Sequence, residues 1–331
     1  MNDESMHAFL AAAAGRVRSI EPLRGDASIR RYWRVEASRG GFILCRDEAF
    51  IGAEVDTYPF VAMQRLLSGV VPVPSILAID PAGGYFLLDD LGDILLEYAV
   101  PSMDYETLTK TYRSCIDNLL RIQTLRGEGG CFSLCFDRDK LMFEFEFFID
   151  HALWGYWRSD ISDEDITALR REFNAIAEEL YRPDLFVLNH RDYHSRNIII
   201  HRGIPFIIDF QDARMGLPQY DVASLLRDSY VHLPDHIYIP LHDYCYERGR
   251  GMGIHRLGRD EYDYLFDVMA FQRNVKALGT FGYQVSMRGN LSFERYIAPT
   301  LSYLEGYACR RGILAEAWRI ISRFAPIGGG G

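Results

Sequence analysis

NHRDYHSRNIII, residues 189–200, places an acid at Asp192 and an amide at Asn197 directly before an apolar run. The run continues to residue 210 as NIIIHRGIPFIIDF, two isoleucine-rich segments flanking Arg202 and Gly203, which reads as a β-hairpin. Asp192 and Asn197 stand just before the first strand and Asp209 ends the second, so the hairpin brings three oxygen-bearing side chains to one edge. A hard Mg2+ ion takes oxygen ligands from one or two side chains together with substrate phosphates. Asn197 and Asp209 therefore suit a Mg·nucleotide site, while Asp192 is left to meet the proton of an acceptor hydroxyl.

The rest of the composition narrows the setting. A chain of 331 residues, 48% hydrophobic and 25% charged, has ample material for a globular core. The net charge of −10 argues against a nucleic-acid surface, which needs a basic face. Six scattered cysteines without zinc-ligand spacing read as reduced thiols of a cytoplasmic protein. HAFLAAAAG near the N-terminus is too short to span a bilayer and follows Asp3 and Glu4, so no membrane association is expected and the stretch reads as a first helix.

Two unequal parts follow from the periodicity. Residues 1–90 form a small β-rich lobe with strand-like YWRVEA, GFILCR, SILAID and GYFLLDD, and a helix around EVDTYPFVAMQRLLSG. Residues 91–331 are mainly helical: YETLTKTYRSCIDNLLRIQ, KLMFEFEFFIDHALWGYW and DEDITALRREFNAIAEELY carry apolar positions at helical spacing. The expected fold is α+β and bilobal, with the hairpin inside the larger lobe.

H-R-D-x-x-x-x-N followed by a strand-end I-D-F is the pattern of kinase-like catalytic cores. With GDASIRRYWRV (25–35), FLLDDLGD (86–93), IIDFQDARMGLPQYDVASLLRD (207–228) and FQRNVKALGTF (271–281), the chain resembles the aminoglycoside phosphotransferase family of small-molecule kinases. Its wording is most similar to the bacterial anomeric kinases that phosphorylate N-acetylmuramate and N-acetylglucosamine in cell-wall recycling. The resemblance implies a protein-kinase-like fold, ATP and Mg2+ as cofactors, and a small-molecule acceptor enclosed by helices after residue 94. Only eleven residues separate Asp209 from Asp221, too few for a segment on which a peptide substrate could lie.

The small lobe departs from protein-kinase wording. Lys110, Lys140 and Lys276 are the only lysines, so an arginine must hold the nucleotide's α- and β-phosphates there, or nothing does. Arg46 matches by strand position, with Glu54 as candidate partner; a solvated arginine and a surface glutamate is the equal alternative. Gly25, Ser28 and Arg30 could donate to phosphate from a loop, or form an ordinary turn. Asp89, Asp90 and Leu91 mark the expected hinge, whose backbone would pair with adenine. His194 either approaches the transferring phosphoryl group or is a satisfied buried histidine. His190 and Arg191 read as loop-ordering residues, Asp212 as a turn residue, and Asp221 as a helix cap that also binds the loop backbone. For the acceptor, Glu144, Glu146 and Asp150 are candidates, with Glu146 and Asp150 on one helix face and Glu144 on another. An aminoglycoside or other alcohol kinase, and a nucleotide-binding pseudokinase, are the competing functions; the intact Asp192, Asn197 and Asp209 set disfavours the last.

Overall fold

The computed structural model describes residues 3–23 and 30–325. The chain is α+β and divides into two compact units, Met1–Ala99 with Asn197–Asp212, and Val100–Arg196 with Ala213–Gly331. The hairpin, read from sequence as part of 91–331, groups with the N-terminal sheet.

In the first unit, helix α1 (Asp3–Ala13) precedes strands β1 (Val17–Leu23), β2 (Arg31–Ala37) and β3 (Gly40–Arg46); helix α2 (Pro59–Leu67) leads to β4 (Ile76–Asp80), β5 (Tyr85–Asp89) and the short α3 (Leu96–Ala99). The five strands form an antiparallel sheet in the order β1-β2-β3-β5-β4. Leu10 and Ala14 of the α1 segment cover one face by packing on Val35, Ala37, Leu44, Tyr85 and Leu87. That burial of apolar side chains, not helix propensity, fixes so short a helix. Strands β7 (Ile198–His201) and β8 (Ile204–Ile207) make the expected hairpin, Ile198 facing Ile207. Arg202 and Gly203 both take positive φ, 51° and 79°, as a two-residue turn matched to strand twist requires. Phe210 beyond the hairpin stacks on Phe60 of α2, ring centroids 5.3 Å apart.

The second unit contains α4 (Tyr105–Gln123), α5 (Arg138–Phe148), α6 (Asp163–Leu180), α7 (Gln219–Leu226), α8 (Asp235–Gly251), α9 (Arg259–Arg288), α10 (Ile297–Arg310) and α11 (Gly312–Phe324). A small antiparallel pair, β6 (Val187–Asn189) with β9 (Arg214–Gly216), lies among them. Asp104, Asp137 and Ser162 cap α4, α5 and α6, each accepting from the backbone N–H three residues on. Helix α9 is the spine, with Phe271, Val275, Leu278 and Phe281 fully buried. One departure from the expected helix over 140–157 is local: α5 ends at Phe148 and continues as a π-helix, Ile149–Tyr156. Among the described residues no helix is long and apolar enough to cross a membrane.

Candidate active site

The loop between β6 and β7 is held in the second unit by two buried carboxylates. Asp221, in the first turn of α7, accepts from the backbone N–H groups of His190 at 2.5 Å and Arg191 at 3.1 Å. It binds the loop as expected but does not cap its helix, a position Pro218 occupies. Asp228 accepts from the N–H of Ser195 at 2.8 Å, and Tyr193 donates its hydroxyl to the Cys115 carbonyl at 2.8 Å. Between these anchors Arg191 takes φ of 86°, a strained value for a side-chain-bearing residue that persists only where the surroundings enforce it. Burial pushes the Asp221 carboxyl up to about 7, against the pull of its two N–H donors.

Asp192 projects from this loop into a cluster of cations. Its Oδ1 is 2.9 Å from Lys276 Nζ and 3.7 Å from Arg273 Nη1, and its Oδ2 is 3.9 Å from Arg191 Nε. Lys276 Nζ also lies 3.7 Å from Glu144, which is 3% exposed and accepts from Gln272 Nε2 at 2.8 Å. Tyr220 OH accepts from Arg273 Nη1 at 2.8 Å and closes the group. Burial would raise the Asp192 pKa, but Lys276, Arg191 and Arg273 together hold it well below the ordinary carboxylate range. Burial, with Arg273 beside it, lowers the Lys276 ammonium. His194 is pushed down to about 3 chiefly by burial, so its imidazole is neutral at physiological pH; its Nδ1 is buried without a hydrogen-bond partner among the described residues, and its ring meets Tyr230 edge-on. A cationic role for His194 is therefore disfavoured.

Lys276 and Arg273 belong to no motif that marks them in the sequence. Their one signal is the R-x-x-K spacing, which sets both on one helix face in a chain that otherwise uses arginine almost exclusively. Of the proposed acceptor acids, Glu144 joins Asp192 through Lys276, whereas Glu146 pairs bidentately with Arg170 and Asp150 is exposed. Replacing Lys276 by Met removes the nearest cation from Asp192 and so raises its pKa. The acid limb of the pH–kcat profile is expected to move upward toward the ordinary carboxylate value of about 4, and Lys276→Arg should leave it low. A profile unchanged in the Met variant would show that Lys276 does not act on Asp192.

In the first unit, Asn197 and Asp209 come together at the open end of the hairpin: the Asn197 carbonyl accepts from Ile208 N at 3.0 Å, one residue before Asp209. Asp209 is exposed and takes φ of 64°, a left-handed value uncommon for a non-glycine residue. Its Oδ1 accepts from Gln211 Nε2 at 2.9 Å, and it makes no ion pair among the described residues. An exposed carboxylate with no ion pair among the described residues, on a backbone adjacent to Asn197, fits a hard divalent ion that completes its shell with phosphate and water. Among the described residues no group of three or more His, Cys, Asp or Glu could hold a metal ion.

The small-lobe candidates fare differently. Gly25 and Ser28 lie outside the described residues. Arg30 Nε donates to Asp47 Oδ2 at 2.6 Å, and Tyr58 OH donates to the same oxygen at 2.6 Å. Arg46 sits over the Tyr85 ring, with its Nε buried and without a hydrogen-bond partner among the described residues; Glu54 is exposed, accepts from Thr57, and forms no pair with Arg46. At the expected hinge, Asp89 accepts from Ser75 N, Asp90 is clamped by Arg34, and the Leu91 carbonyl is engaged by His201 Nδ1 at 2.9 Å. The Leu91 carbonyl is thus engaged by a side chain of the hairpin. Arg30→Ala would strand the Asp47 carboxylate, whose side chain is 2% exposed, and should lower stability by about 3 kcal/mol in a denaturation experiment. Burial opposes Asp47 ionisation, but Tyr58 and Arg30 outweigh it and lower its pKa. This contribution is present above the unfolded pKa of about 3.9 and lost as pH falls through the folded value, so the deficit should fade in acid.

The sequence profile of the phosphotransferase enzyme family (APH) matches residues 19–251. An N-acetylmuramate/N-acetylglucosamine kinase of Neisseria meningitidis serogroup B is 28% identical over 299 residues, covering 89% of this chain and 87% of that protein. A Pseudomonas aeruginosa protein of the same name is 29% identical over 322 residues, covering 95% and 91%. In structure the chain is similar to APH(2")-IIa in its streptomycin–ATP ternary complex, with TM-score 0.60, 14% identity, and coverage of 88% of this chain and 95% of that one. It is also similar to aminoglycoside phosphotransferase APH(4)-Ia, with TM-score 0.57, 16% identity and coverage of 98% and 99%. At such identities the structural likeness is one of fold.

Proposed function

This chain belongs to the phosphotransferase enzyme family and is a kinase, and from that premise we propose that it transfers the γ-phosphoryl group of ATP, with Mg2+, to the anomeric hydroxyl of an N-acetylated amino sugar. The observation that carries the choice of acceptor is the charge around Asp192. Arg191, Arg273 and Lys276 stand against Asp192 and Glu144, three positive groups to two negative, and Asp221 is only partly ionised at neutral pH. Such a cluster does not attract a polycationic aminoglycoside. It suits a neutral N-acetylhexosamine or one bearing a carboxylate, the two acceptors in the names of the relatives.

Each residue then has a task. Asn197 and Asp209 would hold Mg2+, which when bound neutralises charge on the nucleotide's phosphates. Asp192 accepts a hydrogen bond from the anomeric hydroxyl and orients its oxygen for attack. With its pKa held low it takes the proton late, as a loose phosphoryl-transfer transition state allows. Lys276 and Arg273 fix the carboxylate's rotamer, so the hydroxyl is aligned rather than merely bound. The Asp90 region would supply backbone groups to adenine. The retained Asp192, Asn197 and Asp209 set supports catalysis over a pseudokinase.

Purified protein with Mg·ATP and a panel of N-acetylglucosamine, N-acetylmuramate, kanamycin and choline tests this, with ADP release as readout. Turnover with the sugars and none with kanamycin is expected; the reverse order would overturn the acceptor assignment.

A further inference from the structure

Helix α5 with its π-helical extension and the second half of α9 lie side by side in one direction at a nearly constant offset. Glu144 meets Lys276 at 3.7 Å, a Cβ on Gly279 would stand 2.9 Å from Phe148 Cα, Gly282 abuts the His151 backbone, and a Cβ on Gly155 would stand 3.3 Å from Ser286 Oγ. The sequence differences are 132, 131, 131 and 131, so the two elements keep register over three turns. Gly279 and Gly282 permit this closeness, since any side chain there would strike backbone.

The pairing has a consequence for the outward face. Phe147, His151 and Tyr283 form a cluster of three rings, with centroids 4.2 Å apart for Phe147 and His151, 5.0 Å for His151 and Tyr283, and 5.8 Å for Phe147 and Tyr283. All three are partly exposed, and Phe143, whose ring is 6.5 Å from that of Phe147, is 59% exposed. Tyr283 is seven residues beyond Lys276, two turns along the same face of α9, or about 10 Å. Lys276, which holds the Asp192 carboxylate, and Tyr283 thus share one face of α9, with Phe147 and His151 of the neighbouring element beside Tyr283, at a separation near the length of a substituted hexose. Pockets for small molecules combine these two features, a largely aromatic lining and a few placed polar groups. Of the nearby acids, Glu146 is paired with Arg170, while Asp150 is exposed.

We infer that Phe147, His151 and Tyr283 form the platform on which the acceptor sugar's ring and N-acyl group rest while its anomeric hydroxyl meets Asp192. This rests on the sugar-kinase reading above and adds the subsite that selects the sugar. The rings touch the acceptor and not the nucleotide, so they set acceptor affinity.

Steady-state kinetics of Phe147→Ala and Tyr283→Ala with N-acetylglucosamine test it. Each is expected to raise the acceptor KM about tenfold and leave the KM for ATP unchanged. Phe147→Leu and Tyr283→Leu keep apolar bulk but remove the flat face; they guard against misfolding and should show the same KM rise. Wild-type protein that phosphorylates no sugar would overturn the sugar-kinase reading and the platform with it. Active wild-type protein whose leucine variants keep the acceptor KM within twofold would overturn the platform alone, as would loss confined to self-association measured by sedimentation.

Discussion

Asp192→Asn is expected to lower kcat by about three orders of magnitude, within the range for loss of a general base, with Mg·ATP affinity changed by no more than a few-fold. The amide keeps an oxygen for Lys276 Nζ, now 2.9 Å from Oδ1, so the loop and cluster geometry survive. What is lost is the negative charge that accepts the hydroxyl proton. Glu144 still faces Lys276, so the ammonium is not left without a carboxylate. Rapid-quench measurement of a single turnover separates this from slow product release, and near-normal phosphoryl transfer would remove Asp192 from the base role.

Asp209 offers the second large effect, with an added signature in stability. Asp209→Asn removes the charge while tolerating the left-handed backbone better than alanine would. Mg-dependent nucleotide affinity is expected to fall about 10- to 100-fold, the equivalent of a charge-assisted contact, with little change in nucleotide binding measured without Mg2+. Asp209→Gly should abolish the same Mg-dependent gain yet raise the thermal midpoint, because glycine adopts φ of 64° without strain. Equal affinities with and without metal in wild type and variants would refute the assignment.

How much of this was legible in the sequence depends on the range of the interactions. The hairpin, and the places of Asp192, Asn197 and Asp209 along it, were readable because the stretch spans eighteen residues and carries its own turn. The cation cluster was not, since Lys276 and Glu144 lie 84 and 48 residues from Asp192 and meet it only through helix packing. Arg30 reads in the sequence either as a loop donor to phosphate or as part of an ordinary turn. Its bond to Asp47 follows from the β2–β3 register, in which Arg31 faces Arg46, a pairing that no local pattern announces. The π-helix was equally hidden, because over eight residues its period differs too little from 3.6 to be told from an α-helix. Asp228 went unassigned for the opposite reason: one acid among many, marked only by what it binds.

The most direct measurement is the position of the phosphate in the product. Phosphorus-coupled proton NMR after incubation with Mg·ATP and N-acetylglucosamine should show coupling to the anomeric proton, and the methyl glycoside, whose C1 oxygen is blocked, should remain unphosphorylated. Phosphate on any other hydroxyl, or a methyl glycoside that is as good an acceptor as the free sugar, would contradict the account.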